Sequence, residues 1–168
     1  SDFEGLAAHL APGRRLVVPD QRGRGRSAHD PDPENYNPAV YAADMFRLLD
    51  DLGIEKVVLV GTSMGGLIAM IMGSMAPHRV RGAILNDIGP ELDQSGLDRI
   101  QVYVGTVDPY PDWDAAAASC KRVNHQAFPD VDDPFWMQFA RRTCTELPDG
   151  RVVPAYDPAI AQGFSDDS

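Results

Sequence analysis

The sequence predicts an α/β fold in which a parallel sheet flanked by helices is followed by a mostly helical region. Helical and strand patterns alternate through the first half of the chain, as they do where helices connect parallel strands. The strand patterns are short apolar runs without polar alternation, which is typical of strands buried on both faces. After residue 90, strand patterns disappear and short helical stretches between Asp- and Pro-rich turns replace them.

The first elements are a short helix and a short strand. The pattern predicts a helix over residues 3–10, which Ala-Pro-Gly at 11–13 ends. The apolar run RRLVVP predicts a strand over residues 14–19. Residues 20–37 are rich in Pro, Asp, Gly and Arg and show no periodicity, which predicts a long loop.

A second helix follows this loop. Asn37 and Pro38 are typical of an N-cap and a first helical turn. Gly53 is typical of the residue that ends a helix. Apolar residues recur between them at helical spacing, and this predicted face consists of Tyr41, Met45, Leu48, Leu49 and Leu52.

A strand, a helix and another strand come next. The run KVVLV at 56–60 predicts a central strand that is apolar on both faces. Residues 64–76 are apolar on nearly every side, which predicts a buried helix closed by Pro77. Residues 80–85 predict the second strand. Beyond it, the pattern predicts helical stretches at 97–104, 113–124 and 134–145.

Composition excludes several classes of function. The formal net charge is −10 and the pI is about 4.6, so we expect neither a nucleic-acid partner nor an anionic membrane surface. No apolar run reaches the length of a membrane span, and no secretory signal pattern is visible. Cys120 and Cys144 are far apart in sequence, which favours two buried or idle thiols over a disulfide or metal site. A cytoplasmic location is expected, without cofactor or metal.

The motif GTSMG at residues 61–65 is the candidate catalytic feature. It has the Gly-x-Ser-x-Gly pattern between a predicted strand and a predicted helix, where a sharp turn exposes the serine. A serine hydroxyl must be oriented and deprotonated before it attacks. Ser63 is therefore the predicted nucleophile, with Gly61 and Gly65 predicted to avoid clashes across the turn. The backbone N–H of Met64, at the helix N-terminus, is the predicted oxyanion donor.

With its flanking segments, this motif resembles the α/β-hydrolase superfamily in the branch that uses a serine nucleophile and carries a helical cap. The resemblance rests on KVVLVGTSMGGLIAM, the preceding VVPDQRGRGRS and the following HRVRGAILNDIGP. It implies a partial α/β-hydrolase core with its nucleophile elbow over residues 1–90 and a cap, or lid, over 91–168. Members of this kind hydrolyse esters, lactones or carbon–carbon bonds. A serine at 63 argues against the dehalogenase and epoxide hydrolase branches, which place Asp there.

The resemblance also implies parts that this sequence does not show. The family's second oxyanion donor lies in an earlier loop, and its general-base histidine follows the last strand of the sheet. Because His125 is the last histidine, we expect an incomplete chain that is inactive alone, or a base supplied by another chain. Asp87 ends the strand after the nucleophile. The triad acid is either Asp87 or a residue beyond 168, and a turn-stabilising role for Asp87 is the favoured interpretation.

Other motifs have weaker claims. GTSM also resembles the nucleophile segment of subtilisin-like proteases, but those need Asp and His motifs upstream of the serine. GRGRSA at 23–28 has the letters of a dinucleotide fingerprint, but the prolines that follow it prevent a helix from opening there. We expect its arginines to brace the loop or face solvent. His78 and His125 are expected at the surface. Most aromatic residues of the helical region are expected in the lid core, with one or two facing an acyl pocket: Tyr103, Trp113, Phe128, Phe135, Trp136 and Phe139.

The sequence therefore predicts a hydrolase of a small acyl compound that forms a Ser63 acyl-enzyme. The alternative is a non-catalytic α/β-hydrolase-like binding module or an inactive remnant, which the absence of a suitable histidine favours. The substrate and the oligomeric state stay open.

Overall fold

The computed structural model describes residues 3–89 and 108–164. The helical stretch predicted at 97–104, with Tyr103, lies outside these residues. The α-helices that the structure describes are α1 Glu4–Leu10, α2 Pro38–Asp51, α3 Met64–Met75, α4 Trp113–Asn124 and α5 Asp133–Thr143. The strands are β1 Val57–Thr62, β2 Val80–Asn86, β3 Cys144–Glu146 and β4 Val152–Pro154. Short 3-10 helices cover Pro33–Asn35, Pro77–Arg79 and Pro158–Phe164.

Strands β1 and β2 form a parallel sheet, as the alternating pattern predicts. Their register runs from Val58 opposite Gly82 to Thr62 opposite Asn86. Helix α3 connects the two strands, packs against both, and also contacts α2. The carboxyl ends of both strands therefore lie at the same edge of the sheet.

Helix α2 begins and ends at the residues that the sequence predicts. The Asn37 side chain accepts a hydrogen bond from the Val40 N–H at 3.0 Å, which makes Asn37 the N-cap. Gly53 has a φ of 64°, a value that glycine adopts without the usual steric cost. The N–H of Ile54 then donates to the Leu49 carbonyl at 2.8 Å, which completes a Schellman end.

Arg79 fixes the start of β2 against the connection between α2 and β1. Its guanidinium donates to the backbone carbonyls of Glu55 at 2.7 Å and Ile54 at 2.9 Å, and to the Asp50 carboxylate at 2.8 Å. Its Cζ atom also lies 5.8 Å from the centre of the Phe46 ring. Charge-assisted bonds with this fork geometry are among the stronger polar contacts in a protein. Arg79 therefore helps to align the two strands, a role that sequence reasoning missed.

The strand predicted over residues 14–19 is wrong. These residues form no strand, and Val17 and Val18 keep 38% and 44% of their surface exposed. A strand requires a neighbour for its ladder of hydrogen bonds. The described strands pair only as β1 with β2 and β3 with β4, so this apolar run has no ladder partner among them.

The prediction that the 56–60 strand is central and covered on both faces also fails within the described residues. One face of the β1–β2 sheet is covered by α3, whereas Val58 in β1 and Ile84 in β2 are 60% and 58% exposed. Met75, at the end of α3, is likewise 60% exposed. The apolar run fixes how much surface must be covered, but it does not specify the elements that cover it.

The region after residue 108 contains two helices and a β-hairpin. Helix α4 has the predicted bounds, but α5 ends at Thr143, and β3 begins where the sequence predicts continuing helix. Strands β3 and β4 pair antiparallel, with Glu146 opposite Val152. Between them, Gly150 adopts a φ of 85° in the turn. The prediction that strands vanish after residue 90 is therefore corrected by this hairpin.

Internal contacts divide the described chain into two compact units. One unit joins residues 3–29 with 108–158, and the other joins residues 30–89 with 159–164. The first contains the core formed by Ala116, Ala117, Trp136, Ala140 and Val152. Division into a core over 1–90 and a cap over 91–168 stays a prediction. None of the helices in the described ranges is both long and apolar enough to cross a membrane.

Candidate active site

Ser63 lies at the junction between β1 and α3 in a strained backbone conformation. Its φ and ψ angles are 50° and −119°, a combination that residues with side chains rarely adopt. The Ser63 N–H donates to the Asn86 carbonyl at 3.0 Å, which ties the turn to the end of β2. The side chain is half-buried. This strand–turn–helix geometry is the one that the sequence motif requires.

The glycines of this turn differ in the space that surrounds them. A Cβ atom at Gly61 would overlap the carbonyl group of Gly65, so only glycine fits at position 61. A Cβ atom at Gly65 meets no described atom within 4 Å, so the predicted clash at this residue is wrong. The tight contact instead involves Gly66, where a Cβ atom would overlap Cγ2 of Ile88. Gly66 thus allows α3 to approach the segment after β2, and sequence reasoning missed it.

The N-terminus of α3 begins directly after Ser63. The Ser63 carbonyl accepts hydrogen bonds from the N–H groups of Gly66 at 2.8 Å and Leu67 at 3.1 Å, so Ser63 is the N-cap residue. Its side chain forms no capping bond to the helix. Met64 is the first helical residue, so its N–H lies at the N-terminal end of α3. The helix dipole favours negative charge at this end.

Asp87 directly follows β2, as Ser63 directly follows β1. Thr62 and Asn86 are opposite each other in the parallel register, so the residues after them leave the sheet side by side. Asp87 has a φ of 53°. Ser63 and Asp87 are the two non-glycine residues with positive φ in the described part of the chain. Backbone strain is therefore concentrated at this edge, as it often is at functional sites. Asp87 is exposed, and its role as triad acid or turn residue stays open.

All four histidines of the sequence lie within the described residues, and all are exposed. His78 follows α3 at the end opposite Ser63, and twelve helical residues separate these ends by about 18 Å. His9 and His125 contact backbone carbonyls on their own helices. His29 pairs with Asp157 at 3.4 Å. No described histidine of the Ser63 unit therefore lies within reach of Ser63 as a base.

The loop over residues 20–27 folds around one carboxylate. Asp20 accepts a hydrogen bond from the Arg26 N–H at 3.1 Å, and the Ser27 hydroxyl donates to the Asp20 carbonyl at 2.7 Å. Gly25 has a φ of 56°, and a Cβ atom there would lie 2.6 Å from the Asp20 carboxylate. The Arg24 guanidinium reaches the Arg22 carbonyl at 3.4 Å. The Arg24 side chain thus contacts the loop and the Arg26 side chain faces solvent, the two roles predicted for these arginines.

The same loop is attached to the segment after β4. The Asp157 N–H donates to the Gly23 carbonyl and the Gly25 N–H donates to the Ala155 carbonyl, both at 2.7 Å. No α-helix opens after residue 28, where the chain is irregular until the 3-10 turn Pro33–Asn35. A dinucleotide site needs that helix N-terminus for the pyrophosphate. The resemblance of residues 23–28 to a dinucleotide fingerprint is therefore accidental, as predicted from the prolines that follow it.

Four aromatic residues of the region after residue 108 form one cluster. Trp136 is 2% exposed at its centre, and the rings of Phe128, Phe135 and Phe139 lie 5.1–6.3 Å from its ring centre. Phe128 is 40% exposed. Packing in the core of this region is thus confirmed for Trp136. The described residues contain no group of three His, Cys, Asp or Glu side chains arranged to hold a metal ion.

Comparison with known proteins identifies the class. The family model described as alpha/beta hydrolase fold matches residues 1–128. The chain belongs to the α/β-hydrolase fold family.

Particular relatives agree with this assignment. A 3-hydroxybutyrate-oligomer hydrolase from Cupriavidus necator is 43% identical over 104 residues, which are 62% of this chain and 36% of that protein. Lipase LipV from Mycobacterium tuberculosis is 34% identical over 145 residues, covering 86% of this chain and 53% of that protein. The crystal structure of an α/β hydrolase from Novosphingobium aromaticivorans matches with a TM-score of 0.89 and 40% identity. That match covers 95% of this chain and 56% of the other, so the chain spans about half of that structure.

Proposed function

We propose that the protein is a serine hydrolase that cleaves a small acyl compound through an acyl-enzyme on Ser63. The observation that carries this proposal is the strained backbone of Ser63 at the junction of β1 and α3. Such strain costs roughly 1–3 kcal/mol and persists where the surrounding structure enforces it. Gly61 and Gly66 permit the close approaches that enforce it here. The hydrolase names of the family relatives support the same class.

The proposed reaction follows the chemistry of an oriented serine. The Ser63 Oγ attacks the carbonyl carbon while a base removes its proton, and the carbonyl oxygen becomes an oxyanion. The Met64 N–H donates to that oxyanion. Removing one such donor typically costs about 10²–10³ in rate. The leaving group departs with a proton, and water then cleaves the acyl-enzyme by the same steps in reverse.

The general base is then a residue outside positions 1–168 or a residue of another chain. The reason is His78, the one histidine among the described residues of the Ser63 unit, which lies beyond the far end of α3. Asp87 is the candidate acid within the described residues, because the β1–β2 register brings it to the same edge of the sheet as Ser63.

Short esters of hydroxy acids are the first substrates to test. This choice rests on the printed name of the Cupriavidus necator relative, which acts on oligomers of 3-hydroxybutyrate. Lactones and activated carbon–carbon bonds share the same requirement for a nucleophile and an oxyanion donor. We therefore propose the ester as the substrate class and treat the other two as comparisons in the assay.

A fluorophosphonate probe tests the nucleophile directly. We expect the full-length protein to be labelled on Ser63, because the probe reacts only with an activated serine. Ser63→Ala should abolish labelling. Ser74→Ala is the matched control, since Ser74 is an exposed serine at the other end of α3, and it should label as the unchanged protein does.

The alternative function is a non-catalytic α/β-hydrolase-like binding module. The observation that favours it is the exposure of every histidine in the sequence. A folded full-length protein in which Ser63 stays unlabelled at probe concentrations that modify known serine hydrolases would support the module and contradict the enzyme.

A further inference from the structure

Ile88 packs against the first turn of the helix that begins at Ser63. It follows Asp87 at the carboxyl end of β2 and is half-buried. Its side chain lies against Gly66 in α3, where a Cβ atom would overlap the Cγ2 methyl group of Ile88. This methyl group therefore occupies the space that a side chain at position 66 would need. The segment after β2 is thereby packed directly on the helix of the proposed nucleophile.

We propose that Ile88 is a positioning residue for the reaction of Ser63, and that its Cγ2 methyl group holds the first turn of α3 in place against the end of β2. This inference rests on the proposed function, because it concerns the reactivity of Ser63. The Gly66 N–H donates to the Ser63 carbonyl at 2.8 Å, so a shift of Gly66 moves the backbone of the nucleophile. Met64, the proposed oxyanion donor, lies between these two residues in the sequence.

The contact of Ile88 with Gly66 closes a ring of interactions around the strained turn. The Ser63 N–H donates to the Asn86 carbonyl at 3.0 Å, and the Ser63 carbonyl accepts from Gly66. Asn86 lies two residues before Ile88, whose side chain packs on Gly66. Backbone hydrogen bonds thus hold both sides of Ser63, and a side chain holds the two partners of those bonds together. A strained residue persists only where its surroundings enforce the conformation, so loss of the methyl group should let Ser63 relax.

Two conservative variants separate positioning from burial. Ile88→Val keeps both γ-carbons and removes one methyl group, whereas Ile88→Leu keeps the number of carbons and removes the branch at Cβ. Side-chain volume alone predicts the larger loss for Ile88→Val, which leaves the smaller side chain. Positioning predicts the opposite order, with Ile88→Val reacting nearly as fast as the unchanged protein. Ile88→Leu should react roughly 10- to 100-fold more slowly, because a displacement of about 1 Å can lower a rate by about 10²-fold.

The measurement is the saturating rate at which a fluorophosphonate probe labels Ser63 in the folded, full-length protein. An Ile88→Leu variant that is labelled as fast as the unchanged protein would overturn the inference, and so would an Ile88→Val variant that is the slower of the two. If Ser63 is not labelled in the unchanged protein, the proposed function itself fails. Unfolding measurements, which need no activity, then decide alone whether Ile88 holds the turn.

The unfolding measurements use a pair of variants that moves a methyl group across the contact. Gly66→Ala should lower the denaturant midpoint, because its Cβ atom overlaps the Cγ2 group of Ile88. Adding Ile88→Ala removes that group, and the Cβ atoms of residues 66 and 88 then lie 3.6 Å apart, an ordinary contact. The double variant should therefore have a higher midpoint and a faster labelling rate than Gly66→Ala. Recovery should be partial, because the new Cβ atom also lies 3.3 Å from the Gly61 carbonyl oxygen.

Gly73→Ala is the matched control for this pair. A Cβ atom at Gly73, also on α3, meets no described atom within 4 Å. Its effect on the midpoint should therefore add to that of Ile88→Ala, as effects at independent sites do. If the effects of Gly66→Ala and Ile88→Ala also add, the contact does not couple the two residues, and the inference is contradicted.

Discussion

The elbow, defined as residues 61–66, and the helical pair, defined as α4 and α5, are stabilised in opposite ways. In the elbow, a Cβ atom does not fit at Gly61, where it would meet the Gly65 backbone, or at Gly66, where it would meet the Ile88 side chain. In the helical pair, side chains fill the space, with Trp136 at the centre of the cluster. The elbow therefore depends on a few positions where one residue type fits. The helical pair depends on the total of many contacts, where several residue types would serve.

Small and large residues alternate in the contact between α4 and α5. Ala116 on α4 and Ala140 on α5 are fully buried, and Trp136 is 2% exposed beside them. At one end of this contact, the Trp113 indole N–H donates to Glu146 at 2.7 Å, and the Arg141 guanidinium carbon lies 4.5 Å from the ring centre of Trp113. The alanines allow the helices to approach, and Trp136 adds a large buried side chain.

The largest expected effect belongs to the helical pair. Trp136→Ala should lower the free energy of unfolding by about 3–5 kcal/mol, because it removes the largest buried side chain of this core and leaves a cavity. Denaturant unfolding followed by far-ultraviolet circular dichroism measures the loss without relying on the removed fluorophore. Probe labelling of Ser63 at low temperature, in protein that is still folded, should continue, since Trp136 belongs to the other compact unit.

Phe128→Ala is the matched control for Trp136→Ala. Phe128 contacts the same aromatic cluster but is 40% exposed, so its removal leaves a smaller cavity. Phe128→Ala should therefore lower the free energy of unfolding by well under half as much as Trp136→Ala. If the two variants lost the same free energy of unfolding, burial of Trp136 would not be what stabilises the helical pair. The helical pair would then not differ from the elbow in this way.

The second effect belongs to the elbow. Gly61→Ala should lower the free energy of unfolding by about 1–3 kcal/mol, because its Cβ atom would be forced against the Gly65 carbonyl group. The turn must open to relieve this overlap, so we also expect Ser63 to lose most of its reaction with a fluorophosphonate probe. Denaturant unfolding and labelling of the same preparation measure both consequences.

Gly65→Ala is the comparison for that variant. A Cβ atom at Gly65 has no described neighbour within 4 Å, and alanine is favoured over glycine in a helix by roughly 0.5–1 kcal/mol. Unfolding stability should therefore be unchanged or slightly raised. A loss as large as that of Gly61→Ala would show that both glycines of the motif are restricted by space, which the structure does not indicate.

Local signals account for what the sequence predicted at the site. Ser63 and Gly61 lie within one five-residue motif, and the strand and helix around them are both recognisable from their own residues. The role of Gly66 could not be predicted, because its neighbour Ile88 is 22 positions away and no local sequence pattern links the two residues.

The difference between local signals and contacts of distant residues also explains the errors in the predicted fold. Helices α2 and α4 were predicted closely because capping residues and periodicity are contained in the helix itself. Strands β3 and β4 have three residues each, too few to show an alternating pattern. The run at 14–19 is apolar enough for a strand, but a strand exists only where a neighbour pairs with it. The residues of the 14–19 run do not themselves specify a neighbouring strand.

The smallest expected effect concerns the start of α4. The Asp112 carboxylate accepts a hydrogen bond from the Ala115 N–H at 2.8 Å and caps the helix. Asp112→Ala should cost about 1 kcal/mol in unfolding free energy, the usual loss for an N-cap. Asp112→Asn should retain most of that stability, because an amide oxygen caps as well as a carboxylate. Asp108→Ala, which removes an exposed carboxylate four residues earlier, should have little effect in the same denaturant assay. If Asp112→Asn lost as much as Asp112→Ala, charge at the helix N-terminus would be the cause, and the helical pair would depend on electrostatics in addition to packing and capping bonds.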